Sequence, residues 1–259
     1  MTFDAFSLNS FSLTGKTALV AGGTGAIGQA IAIGLARAGA NVTVVGRREM
    51  GNLNDATAGA DAGDIHHIQA DITKNDNCIT VVEACLKDWG SLDILVNCSG
   101  ISLNVEDVTQ FSRTQWDEMV AVNLTAAFDM IQASSPHMIS QRYGKIINIA
   151  SLYSFLGGRW SPAYASTKHG LVGLTKAMCD ELAHWNIQVN AIAPGFIDTP
   201  LTDKTRNDKA RSAEIINRIP AERWGAPADL MGAAVFLASD ASAYVNGTVL
   251  TVDGGFMVR

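Results

Sequence analysis

Thr17-Ala18-Leu19-Val20-Ala21-Gly22-Gly23-Thr24-Gly25-Ala26-Ile27-Gly28 is the stretch that decides the fold of this 259-residue chain. An apolar run of strand length, Thr17–Ala21, meets a turn carrying four glycines, and after it Ile27, Ile31 and Leu35 recur at helical spacing until Gly39 closes the helix. Glycines between a strand and a helix let the backbone turn tightly and approach a pyrophosphate, which then rests on the free N–H groups and positive end of the helix.

The same alternation runs outward to the end of the chain. Segments 41–45, 65–70, 93–96, 145–149, 188–192 and 249–252 read as further strands. Helical periods occupy 78–87, 114–138, a run to about residue 184, and 229–238. This pattern predicts an α/β chain: one doubly wound Rossmann-type domain, with a seven-stranded parallel sheet covered by helices on both faces. The helix after the second strand is the weakest element, because Gly51, Gly59 and Gly63 interrupt it.

Composition narrows the function classes. A 47% hydrophobic content supports a large core, and a charged fraction of 17% without low-complexity tracts argues against disorder. The net charge of −6 gives no general attraction to nucleic acid or to an anionic membrane surface. No run of eighteen apolar residues occurs, and residues 1–13 lack both the basic and the continuous apolar region of a secretory signal. The expectation is a soluble cytoplasmic protein. Residues 1–13 read as a leader whose Phe3, Phe6 and Phe11 cover an apolar surface, and 14–259 as a single domain. Within it, the charged stretch 200–220 reads as a lid or substrate loop, with a plain surface excursion as the alternative. Cys78, Cys85, Cys98 and Cys179 are scattered without a Cys-x-x-Cys pair and read as reduced core or site-wall residues. The histidines lack metal-ligand spacing, so no metal is expected.

In Ser161-Pro162-Ala163-Tyr164-Ala165-Ser166-Thr167-Lys168 a tyrosine and a lysine stand four residues apart. On a helix they share one face, which brings an ammonium near a phenol. A free tyrosine has a pKa of roughly 10, and a nearby cation favours its phenolate, so the pair is an acid/base device. Ser151 ends a strand thirteen residues earlier, and Asn123 lies inside the long helical run.

These residues together resemble the short-chain dehydrogenase/reductases. The family's Thr-Gly-x-x-x-Gly-x-Gly motif is met at Gly22 and Gly28, with Ala21 for the threonine and Ala26 for the middle glycine. The resemblance implies that Gly22, Thr24, Gly25, Ile27 and Gly28 cradle the dinucleotide, that Asp71 and Ile72 clamp the adenine, and that Asn97 and Gly100 continue the site in Asn97-Cys98-Ser99-Gly100. It further implies that Pro194, Gly195, Ile197 and Thr199 fix the carboxamide. Tyr164 becomes the proton donor, Ser151 a second hydrogen bond to the carbonyl, Lys168 the residue that lowers the tyrosine pKa and binds ribose hydroxyls, and Asn123 the holder of a relay water. Cys98 is read as a packing residue. At the end of the second strand stands Gly46-Arg47-Arg48, with no carboxylate for a free 2′-hydroxyl and two guanidiniums for a 2′-phosphate, so NADP(H) is favoured over NAD(H). The alternative is that one or both arginines face solvent.

From Gly144 to Gly158, and from Arg211 through Gly225 to Gly255, the chain is most similar to the gluconate 5-dehydrogenase and 2-dehydro-3-deoxy-D-gluconate 5-dehydrogenase group. That implies a small carbonyl or alcohol substrate, a sugar acid or polyol of gluconate type reacting at carbon 5 and anionic if an acid. A sugar acid needs a cation for its carboxylate, and Arg159 lies between Ser151 and Tyr164. Lys204, Arg206, Lys209 and Arg211 lie in the lid, where interleaved Asp203, Asp208 and Glu214 support a solvated helix equally well. Two other readings stay open: a reductase of 3-oxoacyl groups on a carrier protein, and a catalytically silent NADP-binding sensor. A sugar-nucleotide epimerase is disfavoured, since little chain remains for a separate substrate domain. The resemblance also implies a homotetramer.

Overall fold

In this computed structural model, residues 7–57 and 62–259 are described. Strand β1 (Thr17–Ala21) lies in the interior of a seven-stranded sheet with β2 (Asn41–Gly46), β3 (Ile65–Gln69), β4 (Ile94–Asn97), β5 (Gly144–Ile149), β6 (Ile187–Pro194) and β7 (Val249–Val252). The order is β3-β2-β1-β4-β5-β6-β7, and every pairing is parallel. The expected seven-stranded parallel sheet is therefore what forms.

Successive side chains of a strand point to opposite faces, and β1 divides accordingly. Ala18 and Val20 enter a core with Ile31 and Leu35 of helix α1 (Ala26–Arg37), whereas Leu19 and Ala21 enter one with Val81 and Cys85 of α2 (Asn75–Trp89). Burial on both faces explains why all of β1, β5 and β6 is solvent-excluded and apolar-rich. Phe11 packs on Phe236, at a centroid distance of 6.3 Å. Phe3 and Phe6 lie outside the described residues.

Two elements depart from the periodic reading. After β2 the described residues form only a short helical turn, Asn54–Thr57. Gly63 closes against Ala40, where a Cβ would stand 2.1 Å from the Ala40 carbonyl oxygen, and Gly59 lies outside the described residues. The long helix is interrupted: α3 (Arg113–Val120) and α4 (Ala126–Gln141) are joined by a π-helical turn, Ala121–Thr125, that contains Asn123. One extra residue per turn leaves the apolar face almost continuous, so periodicity does not reveal it.

Asp93 ties the amino ends of the two central strands together. Its carboxylate accepts from the Thr17 N–H at 2.9 Å and from the Ser91 hydroxyl at 3.0 Å, and it is 8% exposed. Replacing Asp93 with Ala strands the buried Thr17 donor. The expected cost is about 1–3 kcal/mol in urea unfolding, with an unchanged denaturant slope; an unaltered midpoint would contradict it.

Candidate active site

The strand order reverses between β1 and β4, and at such a point the loops leaving the carboxyl ends diverge and open a crevice. Gly22 leaves β1 with φ +78°, and a Cβ there would stand 2.5 Å from the Ser99 nitrogen beyond β4. A Cβ on Gly28 would lie 2.4 Å from the Gly22 carbonyl oxygen. Only glycine fits either place. Ala21 is wholly buried in β1 and Ala26 begins α1, so the turn forms with alanine at both positions. Gly25 precedes α1 and brings no capping side chain, which leaves first-turn N–H groups facing the crevice.

The crevice is a cavity of about 340 Å³. It is lined by Gly22, Gly25, Ile27, Gly28 and Arg48 from the first loop and the end of β2, by Gly100, Ser151, Tyr164 and Lys168, by Pro194, Gly195, Ile197 and Thr199 after β6, and by Arg159 and Arg211. A cradle that a Cβ would fill, an uncapped helix end and nearby cations together fit a dinucleotide.

Helix α5 (Pro162–Leu182) carries Tyr164 and Lys168 on one face. The Lys168 Nζ donates to the Ile149 carbonyl at 2.7 Å and stands 5.8 Å from the Tyr164 ring centroid. Ser151 caps the turn Leu152–Ser154, its Oγ accepting from the Tyr153 N–H. Burial pushes the Tyr164 phenol above its ordinary value, and the Ser151 hydroxyl opposes that rise. Burial pulls Lys168 down to about 8. The lowering of the tyrosine pKa by Lys168 is therefore not the net effect in the unliganded protein. Both groups are desolvated, and that penalty on the phenolate outweighs any help from the lysine. Cys98 lines the cavity, but burial pushes its thiol up to about 12, so it is no thiolate nucleophile.

Six residues read from the sequence do not line the cavity: Thr24, Arg47, Asp71, Ile72, Asn97 and Asn123. The Thr24 carbonyl accepts from Arg48 at 3.0 Å. Arg47 is exposed. Asp71 accepts from the Thr73 hydroxyl at 2.8 Å, which holds its carboxyl below the usual range, and Ile72 belongs to the core. The Asn97 amide donates to Asn148, its partner across the β4–β5 rung, at 2.9 Å. Asn123 is 1% exposed and is engaged by the backbone of Ile101, accepting from its N–H at 2.8 Å and donating to its carbonyl at 2.9 Å. Its side chain therefore braces the loop after β4.

Other lining residues were not singled out from sequence: Tyr153, whose ring meets Tyr164 edge-on at 5.8 Å, and Ser102, Asn104, Ser161 and Phe196. All come from loops, whose paths no periodicity encodes. The signal for Tyr153 was its position between Ser151 and Tyr164.

The family model described as enoyl-(acyl carrier protein) reductase matches residues 21–257. The uncharacterized oxidoreductase YgcW of Escherichia coli K12 is 48% identical over 258 residues, covering 100% of this chain and 98% of that protein. The 2-dehydro-3-deoxy-D-gluconate 5-dehydrogenase of the same organism is 44% identical over 253 residues, covering 97% of this chain and 99% of that protein. Among solved structures, a gluconate 5-dehydrogenase from Burkholderia cenocepacia J2315 in complex with NADP and tartrate is 36% identical, with a TM-score of 0.89 over 98% of this chain and 100% of that one.

The pKa direction at Tyr164 has a spectroscopic consequence. Comparing alkaline titrations of the unliganded wild type and Tyr164→Phe by tyrosinate absorbance, the missing group is expected to titrate above the ordinary value of 10.0. A Tyr164 phenolate present at neutral pH would contradict the burial argument.

Proposed function

This chain belongs to the short-chain dehydrogenase/reductase family, and we propose that it interconverts a secondary alcohol and a ketone at carbon 5 of a gluconate-type sugar acid, with NADP(H) favoured over NAD(H). It is an NAD(P)-dependent oxidoreductase. The observation that carries the proposed substrate class is the charge of the cavity wall. In a chain of net charge −6, the lining includes Arg48, Arg159, Lys168 and Arg211 and no Asp or Glu. Two anionic ends of a reacting pair, a cofactor phosphate and a substrate carboxylate, suit that wall. Relatives named for 2-dehydro-3-deoxy-D-gluconate and gluconate, and tartrate in the Burkholderia structure, support a hydroxy acid.

When bound, nicotinamide supplies or takes up the hydride. The chain's own residues manage the oxygen. In reduction, Tyr164 donates its proton to the carbonyl oxygen as charge develops there, and the Ser151 hydroxyl gives a second hydrogen bond. Lys168, still charged below about pH 8, holds ribose hydroxyls and stabilises the phenolate left behind. Asn123 secures the loop that carries Gly100 beside the Lys168 ammonium. Residues 14–259 act as one catalytic domain in which 200–220 forms the substrate lid; Pro200, Leu201, Thr202, Thr205 and Arg211 on the cavity wall support this. Arg159 meets the carboxylate. The exposed faces of Trp116 and Phe128 are consistent with the homotetramer.

Gly46 supports the NADP preference. A Cβ at this position would stand 2.2 Å from the Thr24 Oγ1, so a carboxylate-bearing side chain does not fit at the strand end, and Arg48 is the lining cation nearest that end. A second reading, reduction of an acyl group on a carrier protein, draws on the family model's description. It requires an apolar groove, whereas the substrate end here carries two guanidiniums.

Two substitutions test these roles. Tyr164→Phe is expected to remove all measurable turnover of 5-keto-D-gluconate while the dissociation constant for NADPH changes less than about twofold; retained turnover would remove Tyr164 from the proposed mechanism. Arg48→Ala deletes a charge-assisted contact and is expected to weaken NADPH binding about 10- to 100-fold with NADH binding unchanged. Equal losses for both cofactors would overturn the phosphate assignment.

A further inference from the structure

We propose that Arg159 and Arg211, both stacked on Trp160, form a two-guanidinium clamp for the substrate carboxylate, with Arg211 delivered by the lid. This rests on the hydroxy-acid reading above and adds the partner that Arg159 requires.

Three observations place the clamp. The Arg159 guanidinium carbon stands 4.9 Å from the Trp160 ring centroid and that of Arg211 stands 4.6 Å from it, so two like charges share one indole. Both arginines line the cavity. Neither has a carboxylate within ion-pair distance among the described residues, whereas the neighbouring Arg206 is paired with Asp198 and Asp203, and Arg223 with Asp229. A planar guanidinium stacked on an aromatic face keeps its N–H edge free and already oriented for an anion.

Trp160 is held for this task. Its φ is +69°, a conformation that residues with side chains rarely adopt. The Trp160 carbonyl accepts from the Val105 N–H at 2.8 Å, and the adjacent Ser161 hydroxyl donates to the Leu103 carbonyl at 3.0 Å. The indole is thus braced by the loop that follows β4. Arg211 arrives on helix α7 (Lys209–Arg218), which is anchored from below by buried Ile215 and by the Trp224 indole N–H donating to Ser212 at 3.0 Å. An anion between the two guanidiniums relieves their mutual repulsion and ties the lid to the loop before Tyr164. Trp160 is a positioning residue, and the arginines make the contact.

The test measures the binding of tartrate, a hydroxy dicarboxylate, to the NADP-loaded enzyme by calorimetry, with nicotinamide absorbance followed alongside to exclude turnover. Wild type is expected to bind it, Arg159→Ala and Arg211→Ala each to weaken it about tenfold or more, and Lys209→Ala, which removes a lid charge outside the cavity wall, to leave it unchanged. NADP affinity serves as the check that each variant is folded. Trp160→Leu keeps both charges and is expected to raise KM for a sugar acid several-fold while leaving KM for the matching neutral polyol and kcat unaltered. Absence of tartrate binding in wild type, equal binding by Arg211→Ala, or an equal loss in Lys209→Ala overturns the clamp. Tartrate binding that follows the expected pattern in an enzyme inert toward every sugar acid upholds the clamp and overturns the proposed substrate instead.

Discussion

A buried ammonium held by one backbone carbonyl organises this molecule. Lys168 is 4% exposed, and its bond to the Ile149 carbonyl fastens helix α5 to the end of β5. Ser151, two residues beyond Ile149, and Tyr164, one helical turn before Lys168, are brought to the same cavity by that single attachment. A desolvated cation is costly, and burial between the sheet and the loop at Gly100 pulls its pKa down to about 8, while the bond to the Ile149 carbonyl offsets part of that cost. A Cβ on Gly100 would come within 3.6 Å of the ammonium nitrogen, which shows how near the backbone runs.

Around this attachment the parallel sheet supplies a second constraint. With both faces covered, its functional groups are confined to the carboxyl ends of the strands, and the reversal of order between β1 and β4 fixes where the loops part. Gly22 and Gly28 let the first loop pass close to the second, and the uncapped α1 terminus completes an anion-binding end. At the opposite end the 200–220 segment forms two short helices, α6 (Asp203–Asn207) and α7, seated on a satellite cluster of Leu152, Ile215, Ile219 and Phe256. The end of the cavity at Gly22 and Gly28 is thus built from the sheet itself, and the wall at 200–220 from an added layer.

Much of this was legible before the structure. The strands were read to within a few residues because fully buried parallel strands write themselves as continuous apolar runs, and the Tyr164–Lys168 spacing placed both groups on one helical face. What stayed hidden has physical causes. The π-turn at Asn123 alters the helix by a single residue. Asn97 looked like a ligand by motif, yet a cross-strand amide partner claims it. The sign of the Tyr164 shift depends on desolvation, which no spacing encodes. The pairing of Arg159 with Arg211 depends on Trp160 adopting a left-handed backbone, for which no sequence rule calls. Each of these features is set by tertiary contacts rather than by period.

The proposed reaction moves a hydride between NADP(H) and carbon 5 of an anionic sugar acid, while the oxygen on that carbon exchanges a proton with Tyr164. Nicotinamide absorbance, followed with 5-keto-D-gluconate, a neutral ketose of similar size and an acetoacetyl thioester, tests it most directly. The predicted result is a kcat/KM for the keto acid about 100-fold or more above that for either other substrate, equivalent to about 2.7 kcal/mol of transition-state discrimination. A higher kcat/KM for the thioester or the neutral ketose would contradict it.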